Sequence, residues 1–320
     1  MAEQERLLLP DSERARRRLR IRLERWAGLF VLPCLIGLNG CLSHTRKLQA
    51  VKAPSVVLTA DASQLAAGVS KAYDAVQSLS ATVDLQASVG GTHKGAITNY
   101  TSLRAYVLMR KPQMLRVLGL LPVLRTQAFN LASNGDTFKL LIPPQNKAIE
   151  GKNSVTTKES NPLLNLRPAL FFNSMLIPGI GPEDDFILTT DNNVSQDPKT
   201  KRWTEERDYL LSIVQPKGAG KGAAPSHELI PKRVIRFNRE NLQPIEQDTY
   251  DENGNIETQT LYGPLQTFGA VKFPGTVTIK RPLEEYQIML TVQKLILNQP
   301  LPDSQFELEI PEGVKIQQLQ

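Results

Sequence analysis

The feature that most limits what this chain can fold into is a two-residue rhythm running through most of its length. In SATVDLQASV and SLRAYVLMRK, on either side of a GGTHKG turn, apolar and polar residues alternate. Alternation sends successive side chains to opposite faces, so these segments read as half-buried antiparallel strands. The rhythm continues in PQMLRVLGLLPVLRTQAFNLASNGDTFKLLIPPQNKAIEG, where Asn134-Gly135-Asp136 marks a hairpin turn and Pro143-Pro144 ends a strand. It resumes in FILTT, RWTEERDYLLSIVQ, ELIPKRVIRFNR, PIEQDTYDENGNIETQTLYG, VKFPGTVTIKRP and YQIMLTVQKLIL. Turn signals at Asn241, Glu252-Asn253-Gly254-Asn255 and Pro274-Gly275 part these runs.

Two segments keep a helical period instead. In DASQLAAGVSKAYDAVQSLS, Leu65, Val69, Tyr73 and Val76 share a face behind an N-cap candidate at Asp61 or Ser63. A stripe this narrow suits a helix docked on a sheet. In PLLNLRPALFFNSML, Leu163, Leu166, Leu170 and Phe171 predict a second helix over 162–176. The fold class is therefore α+β and β-rich, with 41% hydrophobic residues in 320, enough for a full core.

Ahead of this domain stands a leader: a basic stretch, ERARRRLRIRLER, then an uncharged apolar run from Trp26 to Leu38. That is the anatomy of an export signal. The run is shorter than the ~20 residues a bilayer span needs and is broken by Pro33 and Gly37. Leu38-Asn39-Gly40-Cys41 resembles the lipobox of bacterial lipoproteins. The resemblance implies cleavage after Gly40, a diacylglycerol thioether on Cys41, and an N-acyl chain such as palmitate on the new terminus. Two or three buried chains anchor stably, whereas one is marginal. Residue 42 is Leu, and the lack of an aspartate there favours the periplasmic face of the outer membrane. Cys34 leaves with the leader, so no disulfide is expected. The expected organisation is 1–40 signal peptide, 41–60 tether and 61–320 folded domain.

Half of the +6 formal charge lies in the leader. Of 38 basic and 32 acidic groups, eight and five lie in residues 1–26. The rest is weakly charged with no basic patch carrying aromatics, so nucleic acid is not an expected partner. PKGAGKGAAPSH (216–227) lacks the spacing of a phosphate loop and reads as a flexible hairpin tip. Chemistry has few candidates. His44, His93 and His227 fall in the tether, a turn and beside the insertion, poor places for a rigid base. HExxH, GxSxG and CxxC do not occur. The adjacent pairs Asp184-Asp185, Glu205-Glu206 and Glu284-Glu285 read as solvated surface. No enzyme, metal or cofactor is expected beyond the lipid on Cys41.

The order of elements resembles the LolA/LolB lipoprotein-sorting family and the LppX-like lipid-binding lipoproteins. It is carried by SLSATVDLQAS, RKPQMLRV, NGDTFKLLIPPQNKAIEG, IRFNRENLQPIEQDTYDENGN and FELEIPEGVKI, over roughly residues 62–316. The resemblance implies an open, unclosed antiparallel β-barrel whose apolar concave face is covered by helices and takes acyl chains. The partners implied are membrane lipid or lipoprotein acyl chains, the outer-membrane surface and a periplasmic carrier protein. Cys41 makes the chain more like the anchored acceptor than the soluble carrier.

In Val117–Leu124, almost wholly apolar, Gly119 and Pro122 argue for a turn. LolB-like proteins carry an exposed leucine at a comparable hairpin, which the resemblance matches to Leu120 and Leu121. Leu118 and Val123 complete that candidate lipid- or membrane-contacting group. The competing reading, a hairpin buried under the helices, is favoured because long exposed apolar loops are uncommon. Leu176 and Ile177 in MLIPGIGPEDDF are candidates for a cavity mouth, against the favoured reading of a turn capped by solvated acids. A second function stays open: an outer-membrane assembly lipoprotein that binds a protein and no lipid. It requires a filled barrel and an exposed apolar patch.

Overall fold

The computed structural model describes residue 51 and residues 57–154, 166–196, 200–217 and 227–319. The leader, Cys41 and most of the 216–227 insertion lie outside the described residues.

Helix α1 (Ala62–Asp74) starts where its capping chemistry dictates. The Asp61 carboxylate accepts the Gln64 backbone N–H at 2.8 Å, and the Gln64 side chain accepts the Asp61 N–H at 3.1 Å. The first seven strands follow: β1 (Ser78–Gly91), β2 (Ala96–Asn99), β3 (Leu103–Arg110), β4 (Met114–Leu120), β5 (Gln127–Ser133), β6 (Thr137–Ile142) and β7 (Lys147–Lys152). Helix α2 (Pro168–Met175) is shorter than predicted within the described residues. Pro168 explains its start, because proline fits the first helical position while forcing Arg167 to be extended. Then come β8 (Asp185–Gln196), β9 (Trp203–Pro216), β10 (Leu229–Asn238), β11 (Gln243–Tyr250), β12 (Ile256–Tyr262), β13 (Leu265–Phe268), β14 (Val271–Pro274), β15 (Thr276–Arg281), β16 (Tyr286–Leu297) and β17 (Lys315–Leu319).

Strands β13 and β14 form a separate hairpin. The others make one sheet in the order β17-β7-β6-β5-β4-β3-β1-β16-β15-β12-β11-β10-β9-β8, with β2 paired to β1. Among the described residues the outer strands β17 and β8 do not pair, so the sheet is unclosed.

Its curvature follows from what α2 touches. This helix contacts β5 and β15, bonds Ser174 Oγ to Thr260 Oγ1 of β12 at 3.0 Å, and offers the Asn173 carbonyl to Gln247 of β11 at 3.1 Å. In the sheet β5 and β11 are seven neighbours apart. Flat, that is roughly 34 Å, about three helix diameters, so the sheet must wrap around α2. Register shifts in the β1–β16, β4–β5, β9–β10, β10–β11 and β11–β12 pairs supply bends.

Antiparallel pairing puts successive connections on alternate rims. The β3–β4, β5–β6 and β10–β11 turns share one rim, and the segment entering α1 joins it: Leu58 N–H donates to Arg239 O in the β10–β11 turn at 2.7 Å. The β4–β5, β6–β7, β11–β12 and β15–β16 connections share the other.

From the end of β16 the chain crosses the convex face as a strap and lands as β17, parallel to β7. Parallel neighbours require such a crossover. Phe306 and Leu308 are buried beneath it, Leu308 on Ala132, Leu141 and Ala148. Arg110 binds the Leu301 carbonyl and Asp303 and stacks over the Phe306 ring, while Arg116 donates to Gln305 O at 3.1 Å.

Candidate functional site

The concave wall is built by alternation. Leu79, Val83 and Leu85 on β1, Val107 and Met109 on β3, Val117 on β4, Leu140 on β6, Ile279 on β15 and Leu290 on β16 all face one apolar cluster with Phe171, Phe172 and Met175 of α2. A second cluster joins Leu65, Ala66 and Val69 of α1 to Tyr209, Leu211 and Ile213 of β9 and Ile235 and Phe237 of β10. So α1 docks on one end of the sheet as its stripe predicts, and α2 covers the broader wall. With eight residues, α2 is about 12 Å long.

Between the clusters runs a polar seam: Gln247 on β11 and Thr258 and Thr260 on β12 are buried, as is Ser174 facing them. Sequence reasoning did not mark it, because both faces of QDTY and ETQTLY carry polar residues and alternation cannot then say which faces in. Arg233, also buried, donates to the carbonyls of Pro178 (2.7 Å) and Gly179 (3.2 Å), and burial pulls its pKa below the ordinary value. Ile177, half-buried, packs on both clusters, and Leu176 is core. Neither stands at an open mouth. The turn beyond them is closed by Asp184, which accepts the Gly181 N–H at 2.8 Å. That bond, aided by Lys232 at 3.3 Å, holds the carboxyl below its usual pKa, so this acid builds the turn rather than merely being solvated.

The two glutamates at 284 and 285 also depart from the solvated reading. They lie in a 3-10 turn, with Glu285 in the left-handed region (φ 51), where strand alternation does not apply. Glu284 pairs with Arg281, and Glu285 accepts the backbone N–H groups of His93 (2.8 Å) and Lys94 (3.2 Å).

The Val117–Leu124 run is strand, then prong. Gly119 does not turn the chain. It sits within β4 because the Phe129 ring of β5 occupies the space a Cβ would need, 2.4 Å away. Leu118 and Leu120 are half-buried on the side opposite the buried Val117, away from the concave wall. The turn comes at Pro122, closed by Arg125 N–H to Leu121 O (3.0 Å) and Leu121 N–H to Thr126 O (2.9 Å). Leu121 is half-buried at its base, while Val123 is 88% and Leu124 75% exposed. The favoured expectation of a hairpin buried under the helices is therefore overturned at the tip. A tight turn at a rim gives its apex side chains no inward direction. Leu124, which sequence reasoning omitted, belongs to this prong. Cys41 lies outside the described residues.

Among the described residues no group of His, Cys, Asp and Glu is placed to hold a metal ion. The arrangement offers apolar surface, a few buried hydrogen-bonding groups and an exposed apolar prong.

No protein-family model matches the chain, and no curated protein matches it. Solved structures similar to it include a DUF1329 family protein from Desulfovibrio piger, 13% identical, covering 77% of this chain and 95% of that one at a TM-score of 0.45. A LolA superfamily protein from Nitrosomonas europaea is 15% identical over 76% of this chain and 97% of its own, at 0.44. An outer membrane lipoprotein-sorting protein domain from Vibrio parahaemolyticus is 10% identical over 77% and 94%, at 0.40. These similarities are weak, and the functional reading rests on the geometry of this chain.

Proposed function

We propose that the protein is a lipidated envelope protein that takes an acyl chain, from a lipid or a lipoprotein, onto the concave wall beneath α2 and meets the outer membrane through the β4–β5 tip. The observation that carries this is the tip itself. Val123 and Leu124 point into solvent on a closed turn, a placement that costs free energy unless apolar surface meets them. An apolar wall covered by one short helix supports the rest, because hydrocarbon can take over the contacts of Phe171, Phe172 and Met175, while Gln247 and Thr260, which α2 now satisfies, must turn to water or a polar group of the incoming molecule. The cycle is non-covalent: the tip docks, α2 swings away, the chain replaces it, and Cys41 keeps the domain at the membrane.

Two observations favour the assembly-protein reading, and one is the exposed tip itself, the apolar patch that reading requires. Val83, Val107 and Leu115 have no exposure, so the barrel is filled as it stands. Native mass spectrometry with lipid extraction on residues 42–320, prepared without detergent, separates the two. Stoichiometric lipid or acylated peptide is the expected result. A ligand-free protein that also refuses fluorescent fatty acid leaves the assembly role.

A further inference from the structure

At the β15–β16 turn, on the same rim as the apolar tip, the inner face changes from apolar to polar. Arg281 donates to Thr258 Oγ1 (2.9 Å) and to Glu257 (3.2 Å) and pairs with Glu284. Beside it the Tyr286 ring is 4% exposed and packs in the apolar cluster, yet among the described residues its hydroxyl has no hydrogen-bond partner, and neither has Glu284 Oε2. Buried polar atoms are nearly always bonded, so two orphans in one cluster mark a place where a further polar group belongs.

The chemistry of that group can be read from the orphans. Glu284 Oε2 only accepts, so the missing group must donate to it. The Tyr286 hydroxyl can give or take. Two guanidinium groups, Arg281 and Arg167, and two carboxylates, Glu257 and Glu284, already stand around the Tyr286 hydroxyl, so an incoming carboxylate would leave an acid in excess. A neutral hydroxyl, donor and acceptor at once, fits.

Resting on the acyl-binding reading, we infer that this niche holds the hydroxylated polar end of a neutral lipid, such as an acylglycerol, and discriminates against free fatty acid. Its chain would enter at the rim that bears Val123 and Leu124 and run inward over Ile288 and Leu290, which follow Tyr286 on the concave face. The rim would thus choose the lipid by its head while the wall accepts any chain.

The test adds two photo-crosslinking probes of equal chain length, a diazirine monoacylglycerol and the matching fatty acid, to membranes holding the full chain, and maps labelled peptides by mass spectrometry. The wild type is expected to label on β16 and α2 about tenfold more with the monoacylglycerol. Tyr286→Phe, which removes only the hydroxyl and keeps the ring, is expected to cut that preference about fivefold. Glu284→Gln, which swaps an acceptor for an amide able to donate, should raise fatty-acid labelling. Equal labelling by both probes, unchanged in either variant, would mean the niche holds only a water and would overturn the inference while leaving acyl binding intact. No labelling of the concave face by either probe would instead remove the acyl-binding reading beneath it.

Discussion

Val123 and Leu124 are the residues on which the reading turns, and their exposure makes them separable from the fold. Replacing both with Asp removes almost no native contact, so the melting temperature should stay put. Each large aliphatic side chain buried in a bilayer contributes about 2 kcal/mol, so binding of residues 42–320 to phospholipid vesicles should fall more than tenfold in a flotation assay. Unchanged flotation would show that the tip does not meet lipid. On the convex face Asp248 makes a different prediction. Burial, with Glu246 beside it, pushes its carboxyl from 3.8 up to about 6. The folded state therefore holds this proton more tightly than the unfolded chain, and the stability it contributes is complete below pH ~4 and lost as the pH rises through about 6. Asp248→Asn should match the wild type in thermal melts at pH 4 and melt higher at pH 7.5; a lower melt at 7.5 would contradict the assignment.

Elements were legible in the sequence where a period agreed with the chemistry of the ends. The Leu65, Val69 and Tyr73 stripe behind Asp61 announced α1, and Asn134-Gly135 announced the β5–β6 turn, in which Asn134 Oδ1 takes the N–H groups of Asp136 (3.0 Å) and Thr137 (2.9 Å). Prediction failed where the cause is tertiary. Gly119 looked like a turn residue, but what demands a glycine is the Phe129 ring from the next strand. The polar seam at Gln247 and Thr260 was hidden for the same reason, since inward polar groups are tolerated only because Asn173 and Ser174 of α2 meet them. Nor did local pattern show that the last residues form a strap. Its value can be measured: Phe306→Ala empties a fully packed site on the convex face and should cost about 3–5 kcal/mol in urea unfolding. A loss below about 1 kcal/mol would mean the strap merely rests on the sheet.

For the whole molecule, the rims matter more than any single strand. The folded domain begins at the rim of the β10–β11 turn, through Leu58 and Arg239, whereas the apolar tip lies on the opposite rim. Under the proposed lipidation of Cys41, the chain must therefore reach from one rim to the other for the tip to touch the membrane. Residues 41–56 can span at most roughly 55 Å, against about 47 Å for the fourteen-residue β1. A tether over these residues, as proposed, is just long enough. Deleting residues 46–55 should leave the protein anchored while abolishing lipid crosslinking at Leu124→Cys; retained crosslinking would refute the two-rim geometry.

On the proposed function, α2 must leave the wall for an acyl chain to enter. Ser174 and Thr260 face each other across that contact, with hydroxyl oxygens 3.0 Å apart, so a Ser174→Cys/Thr260→Cys pair is placed to form a disulfide that pins α2 to β12. Uptake of a fluorescent fatty acid by this variant, oxidised and then reduced, is the most direct measurement. No uptake is expected when oxidised, and wild-type uptake after reduction. Equal uptake in both states would show that the chain binds elsewhere and that α2 is a fixed part of the core.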